Sequence, residues 1–437
     1  MGRWITQWTP EDPEFWAAGG QRVARRNLVF SILAEHLGFS IWLLWSVVTV
    51  SLPAAGFKFT VDQLFWLVAL PNLVGAFMRL PYTAAVARFG GRNWTTVSAA
   101  LLLIPLGLMA YCVSTPGTPY GMFLFAAATA GLGGGNFASS MANISYFYPE
   151  ARKGFALGLN AAGGNIGVAV VQFAVPAVIV TAAAPHLVNA PLLWLLPVLV
   201  AVACAWAFMD NLTVARAKMS EQLTALKSRH TWVMSFLYIG TFGSFIGYSA
   251  ALPLLIKGQF AEVAWPYWAA LGPLVGSVSR PVGGWLSDRI GGARVTLGVF
   301  GLMGLGVVGV LSGLSGHNFG LFLGSFGVLF VTSGIGNGST YRMIPAIFRT
   351  EAAEAGRTEL EGKRTAAAVI GLASAIGALG GFLIPRGFAI SITNTGSIRT
   401  ALYVFLASYA VCGVVTWWCY LRKMLVARVP NLAHARV

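Results

Sequence analysis

Charge, and negative charge above all, is what this chain has little of. Asp and Glu number 14 against 29 Lys and Arg in 437 residues, and the four types together make up 10%. A water-soluble domain carries about 25%. This chain therefore cannot clothe a water-facing surface, and a bilayer is its expected solvent. Cysteine is scarce too: Cys112, Cys204, Cys412 and Cys419 stand in apolar segments without paired spacing. That excludes a disulfide scaffold and a thiolate metal site, and leaves four small buried hydrophobes. The five histidines (His36, His186, His230, His317 and His434) never pair at ligand spacing, and Glu35 is the one acid well inside an apolar run. A membrane-embedded enzyme would need a metal cluster, a nucleophile with its base, or paired acids. None can be assembled, so no enzyme, metal or cofactor is expected. No cleavable signal peptide is expected either, because a polar and aromatic start turns basic and then directly into a long apolar run.

Hydrophobic residues make up 57% of the chain, with a mean hydropathy of +0.71. A helix needs roughly 20 apolar residues to cross the hydrocarbon core. Such runs occur at 28–52, 63–87, 94–113, 120–145, 155–182 and 191–209, and again at 232–256, 266–286, 295–314, 320–344, 366–390 and 401–421. The expected fold is an all-α integral membrane protein of twelve helices. Its parts are an interfacial segment (1–27), a six-helix half (28–209), a polar linker (210–231), a second half (232–421) and a tail (422–437).

Lys and Arg set the orientation. With the N-terminus inside, the outer loops hold only Lys58, Lys257, Arg386 and Arg399, and the inner segments hold most of the rest. Both termini are thus expected in the cytoplasm. The same bias explains a pI near 10.1 without a nucleic-acid partner. The aromatic run from Trp8 to Trp16 suits the headgroup region.

The halves repeat each other. Arg79 precedes the loop Arg88-Phe89-Gly90-Gly91-Arg92 by nine residues, and Arg280 precedes Arg289-Ile290-Gly291-Gly292 by the same nine, an offset of 201 in both cases. Two stretches rich in Gly and small polar residues begin at Gly131 and Gly334, at nearly that separation. Small residues let membrane helices approach closely, and an internal repeat of six spans is a transporter architecture with its substrate site near the midplane.

Arg79, Arg280 and Arg342 lie inside apolar runs. An arginine at the bilayer centre is costly and normally faces a cavity or a partner. One glutamate cannot neutralise two arginines, so an anionic ligand is expected. The guanidinium is planar, permanently charged and forked, and grips a planar oxyanion through two parallel hydrogen bonds. Tyr238, Phe242 and Phe245 at helical spacing, with Phe137, offer flat walls. Arg342 lies nearer the inner end of its run and either touches the ligand or lines the inner gate.

Motifs then become specific. Gly284-Trp285-Leu286-Ser287-Asp288-Arg289-Ile290-Gly291 resembles the loop motif of the major facilitator superfamily, although Ala87 replaces the acid in the first half. A charge lock at that loop is expected in the second half. The run from Gly134-Gly135-Asn136-Phe137-Ala138-Ser139-Ser140 through Gly164-Asn165-Ile166-Gly167 resembles the NarK-type nitrate/nitrite porters of that superfamily. So does Gly334-Ile335-Gly336-Asn337-Gly338-Ser339-Thr340-Tyr341-Arg342. The resemblance implies the major facilitator fold, a monomer in the bacterial cell membrane, and nitrate and nitrite as cargo. It implies Arg79 and Arg280 as the anion-gripping pair, with Asn165, Tyr238, Phe242 and Phe137 at pocket positions. Gly163, Gly164, Gly336 and Gly338 would let helices slide. Coupling stays open: exchange of nitrate for nitrite is favoured, and Glu35-His36 is the feature that would instead serve proton symport. A nitrate sensor on the same fold is the remote alternative.

Overall fold

The computed structural model describes residues 4–179, 185–215, 225–263 and 266–422. Arg3, Arg216, Lys218, the middle of the expected linker, the end of the run 155–182 and all but the first residue of the tail lie outside the described residues. Among those described, twelve helical stretches cross the membrane. They are α1 (Pro13–Ser51), α2 (Val61–Phe89), α3 (Gly91–Ser114), α4 (120–147), α5 (Glu150–Ile179), α6 (Asn189–Phe208), α7 (Arg229–Gln259), α8 (Pro266–Ile290), α9 (Gly292–Ser315), α10 (Phe319–Glu354), α11 (Glu361–Thr395) and α12 (Arg399–Tyr420). Ten are long and apolar enough to span on those grounds alone. The other two are α4, which breaks into a 3-10 turn at Gly131–Gly135, and α8, whose sequence is loaded with Gly, Ser and Pro.

The chain divides into two compact units. One is Met1–Lys218 with Trp265–Ala270; the other is Met219–Ala264 with Leu271–Val437. In the first, α1 packs along α5 and α2 along the 3-10 turn of α4; in the second, α9 packs on α10 and α12.

The repeat is built into the joints. Gly90 closes α2 with φ +87° and Gly291 closes α8 with φ +92°. Both occupy a backbone region that side chains disfavour. Each donates its N–H four residues back, to Val86 and to Ser287, and a new helix starts at the next glycine. Capping boxes start α2 (Thr60 with Gln63) and α11 (Thr358 with Glu361).

One expectation needs correction. The N-terminal aromatics pack on protein rather than on headgroups. Trp8 and Trp16 bury against Ile144, Phe147, Leu212 and Ala215, and Trp8 Nε1 donates to the Tyr146 carbonyl at 3.0 Å. Tryptophan is as satisfied by a buried apolar cluster with one carbonyl as by an interface. Residues 210–215, at the start of the expected linker, are ordered against the first unit. A short strand β1 (Trp4–Ile5) pairs in parallel with β2 (Asn211–Leu212). Asp210, 4% exposed, receives Arg26 Nη2 at 2.5 Å and Asn27 Nδ2 at 3.0 Å, and its N–H donates to Asn27 Oδ1 at 2.8 Å. Arg92, expected in a cytoplasmic loop, is also buried. Its Nε and Nη2 donate to the Trp206 carbonyl in the last turn of α6, at 2.8 and 2.6 Å. A cation there complements the negative end of the helix.

Asp210 therefore ties the start of α1 to the end of α6. Asp210→Ala removes the carboxylate shared by the Arg26 guanidinium and the Asn27 amide, which keeps only the Val23 carbonyl, a loss of about 1–3 kcal/mol for a half-buried charged hydrogen-bond set. Thermal unfolding of the detergent-solubilised variant should show a lowered melting temperature, with Asp210→Asn falling less. An unchanged melt in Asp210→Ala would show that the tie carries no stability.

Candidate functional site

In the first unit the polar centre gathers on α1, α2, α4 and α5. Arg79 of α2 is fully buried, and its Nε donates to the Gly134 carbonyl at 3.2 Å. That carbonyl is within reach because α4 tightens into the 3-10 turn, where every residue but Leu132 is glycine. A Cβ on Gly134 would strike Trp42 and Gly75, and one on Gly75 would strike Trp42. The guanidinium carbon lies 4.7 Å from the ring centre of Phe137 and 5.5 Å from that of Trp42. Desolvated cation–π contacts of this kind are worth roughly 2 kcal/mol. Trp42 is itself pinned, its Nε1 donating to the Pro71 carbonyl at 2.8 Å.

Glu35 and His36 sit on α1 facing α5. The Glu35 carboxylate accepts from Ser140 Oγ of α4 and, at 2.5 Å, from Asn160 Nδ2 of α5. Asn160 Nδ2 also donates to Ser140 Oγ at 2.8 Å. His36 Nδ1 lies 3.1 Å from the Gly163 carbonyl. Gly163 and Gly164 are close-approach positions: a Cβ on Gly163 would strike Ile32, and one on Gly164 would strike the Glu35 carboxylate. Asn165 follows on α5, 1% exposed, with neither side-chain polar atom hydrogen-bonded among the described residues.

The second unit is built differently around its own arginine. Arg280 of α8 is 5% exposed, and its Nη2 donates to Tyr238 Oη at 3.4 Å. Its guanidinium carbon stands 5.3 Å from the ring centre of Tyr341 on α10. The Tyr238 and Phe242 rings stack, 5.3 Å apart at 11°, and Phe245 lies 6.4 Å beyond Phe242. A π turn at Ile239–Gly243 within α7 separates Tyr238 from Phe245; such turns widen a helix locally and mark functional positions. Gly338 packs on the Arg280 carbonyl and Gly336 on Thr241 and Val299.

Arg342 does something else. Its Nε donates to Asp288 Oδ1 at 2.5 Å, and both side chains are about half exposed. The acid of the second-half loop motif is thus paired with α10, as a charge lock requires. Arg342 also stands farther from its helix end than the sequence indicated, because α10 continues to Glu354.

Sequence reasoning missed Trp42, the Gly134 carbonyl, Tyr341 as the ring beside Arg280, the π turn, and the partners of Glu35. Tyr341 was legible as the one aromatic in the second Gly-rich stretch. The others carry no local signature. Among the described residues no group of three or more His, Cys, Asp or Glu could hold a metal ion. A cavity of about 330 Å³ beside Asp62, Trp66 and Tyr120, and an apolar one of about 370 Å³ beside Leu252 and Phe330, include neither arginine.

Comparison with known proteins identifies the family. The Major Facilitator Superfamily profile matches residues 36–385. The chain is 41% identical to the nitrate/nitrite transporter NarU of Escherichia coli K12 over 96% of both chains. It is 37% identical to the probable nitrate/nitrite antiporter NarK2 of Thermus thermophilus over 97% of both. Its identity with the nitrite extrusion protein of Bacillus subtilis is 28%, over 92% of this chain and 97% of the other. With twelve membrane-crossing helices, a repeated arginine and full-length identity of this order, the chain belongs to the NarK-type nitrate/nitrite porters of the major facilitator superfamily.

Proposed function

We propose that this chain carries nitrate inward across the bacterial cell membrane in exchange for nitrite, with both termini in the cytoplasm and a monomer as the working unit. The carrying observation is the arginine buried at the same repeat position of each unit, Arg79 beside Phe137 and Arg280 beside Tyr341. The names borne by its full-length relatives supply the cargo. Arg79 and Arg280 grip one planar anion; Asn165, Tyr238, Phe242 and Phe137 line it. The bodies 28–209 and 232–421 alternate access through the linker 210–231, with Gly163, Gly164, Gly336 and Gly338 as sliding contacts.

Exchange follows from permanent charge. Guanidinium does not give up its proton in a protein. Two such charges brought together in a poorly solvated space repel by several kcal/mol. An anion between the arginines removes that repulsion, so the loaded carrier reorients readily and the empty one rarely. The return trip then needs an anion, which nitrite formed from nitrate in the cytoplasm provides. Glu35 and His36 fit this reading as helix ties, because their partners include Ser140, Asn160 and the Gly163 carbonyl.

Three outcomes are expected. Arg79→Lys and Arg280→Lys keep the charge but lose the fork, and each should lower nitrate uptake into proteoliposomes by about tenfold or more, the worth of a charged hydrogen bond. Wild-type uptake from both variants would refute the two-arginine grip. Sulfate, tetrahedral and doubly charged, should compete poorly with nitrate. Inhibition at concentrations similar to nitrate itself would rule out a flat site. Most directly, proteoliposomes loaded with nitrite should take up nitrate while empty ones do not, and Glu35→Gln should leave this counterflow intact. Uptake into empty vesicles that follows an imposed pH gradient and dies in Glu35→Gln would establish proton symport instead.

A further inference from the structure

Asn337, in the second Gly-rich stretch of α10, is fully buried, and neither its Oδ1 nor its Nδ2 has a hydrogen-bond partner among the described residues. The small hydroxyl side chains around it on the helix are hydrogen-bonded. Ser333 donates to the Phe330 carbonyl, Thr340 to the Gly336 carbonyl at 2.7 Å, and Ser339 Oγ lies 2.8 Å from Thr296 Oγ1. Leaving a buried amide unbonded is costly, and native chains seldom do it without a use.

The direction of Asn337 follows from its neighbours. Gly336 and Thr340 face the π turn of α7, through Thr241. Gly334 and Gly338 face α8, through the carbonyls of Gly276 and Arg280. Tyr341 lies one helical turn beyond Asn337 on the same side, with the Arg280 guanidinium beside its ring. At about 100° per residue, Asn337 projects between these two faces, toward the place where Tyr238 of α7 meets Arg280 of α8.

The repeat supplies a contrast. At the offset of 201, Asn337 corresponds to Asn136 of α4. Asn136 Nδ2 is engaged with the Ala34 carbonyl of α1 at 3.5 Å, and Gly38 of α1 packs directly on that amide. The first-half asparagine is tied to a neighbouring helix, and the second-half asparagine is not.

Building on the anion-carrier reading above, we propose that Asn337 Nδ2 donates to the anion gripped by Arg280, and that it serves the third oxygen by which nitrate exceeds nitrite. A guanidinium fork satisfies two oxygens of a planar anion. Bent nitrite has no more than two. Nitrate has a third oxygen, and on the Arg280 side a neutral amide donor serves it without adding charge. Asn337 is then a determinant of nitrate over nitrite affinity, supplied by one half of the carrier alone.

The test measures nitrate and nitrite uptake separately into nitrite-loaded proteoliposomes, for wild type, Asn337→Leu and Asn337→Asp. Asn337→Leu should raise the KM for nitrate by about tenfold and that for nitrite by less than about threefold, the worth of one hydrogen bond to a charged acceptor. Asn337→Asp sets a carboxylate against the anion and should abolish uptake of both. Equal effects on the two anions in Asn337→Leu, or no effect, would assign the residue to packing and overturn the proposal. Should the Leu variant not fold, Asn337→Ser and Asn337→Gln are read in the same way: a shift of selectivity toward nitrite supports the proposal, and unchanged selectivity refutes it. Failure of the wild type itself to exchange nitrate for nitrite would instead refute the carrier reading, whatever the variants do.

Discussion

A buried guanidinium is the constraint on which the rest depends. Arginine cannot shed its charge to suit an apolar environment, so each unit must build a polar and aromatic lining around one. In the first unit that lining is a backbone carbonyl, Gly134, and two rings, Phe137 and Trp42. In the second it is a phenol, Tyr238, and the ring of Tyr341. Glycine runs, a 3-10 turn and a π turn, all unfavourable in an ordinary spanning helix, occur beside these side chains. Gly134 has no side chain because Trp42 and Gly75 occupy the space, and that close approach brings its carbonyl to Arg79.

The two linings are related by the repeat but are not copies. The joints are conserved in geometry: Gly90 and Gly291 turn the chain in the same way after α2 and α8. The contents differ. The first-half loop has Ala87 where the second has Asp288, and only Asp288 is in place to hold Arg342. Asn136 is committed to α1, whereas Asn337 is not.

Hydropathy made the twelve spans legible, because a bilayer demands long apolar helices and little else has that pattern. The repeat made Arg79 and Arg280 legible, since two costly residues at one offset need a shared reason. Other features depend on contacts that sequence spacing does not encode. The acceptors of Arg26 and Asn27 lie at Asp210, more than 180 positions away. The aromatics Trp8 and Trp16 had the composition of an interfacial anchor, and only the surface formed by Ile144, Phe147, Leu212 and Ala215 shows that they face protein. The π turn in Ile239-Gly240-Thr241-Phe242-Gly243 has no residue signature, although it sets how Tyr238 and Phe242 stack. Glu35 was visible as an anomaly, but Ser140 and Asn160, its hydrogen-bond donors, were read as small polar residues of a motif.

The central claim is that the anion is held by permanent charge rather than by a titrating group. Equilibrium binding of nitrate to the purified protein, measured by calorimetry across the range from about pH 5.5 to about pH 8.5, addresses it directly. A site of guanidinium forks, phenol and amide donors keeps its affinity within about threefold over that range, since none of those groups titrates there. A dissociation constant that rises about tenfold per pH unit would mean that a proton binds with the anion, and would contradict the account.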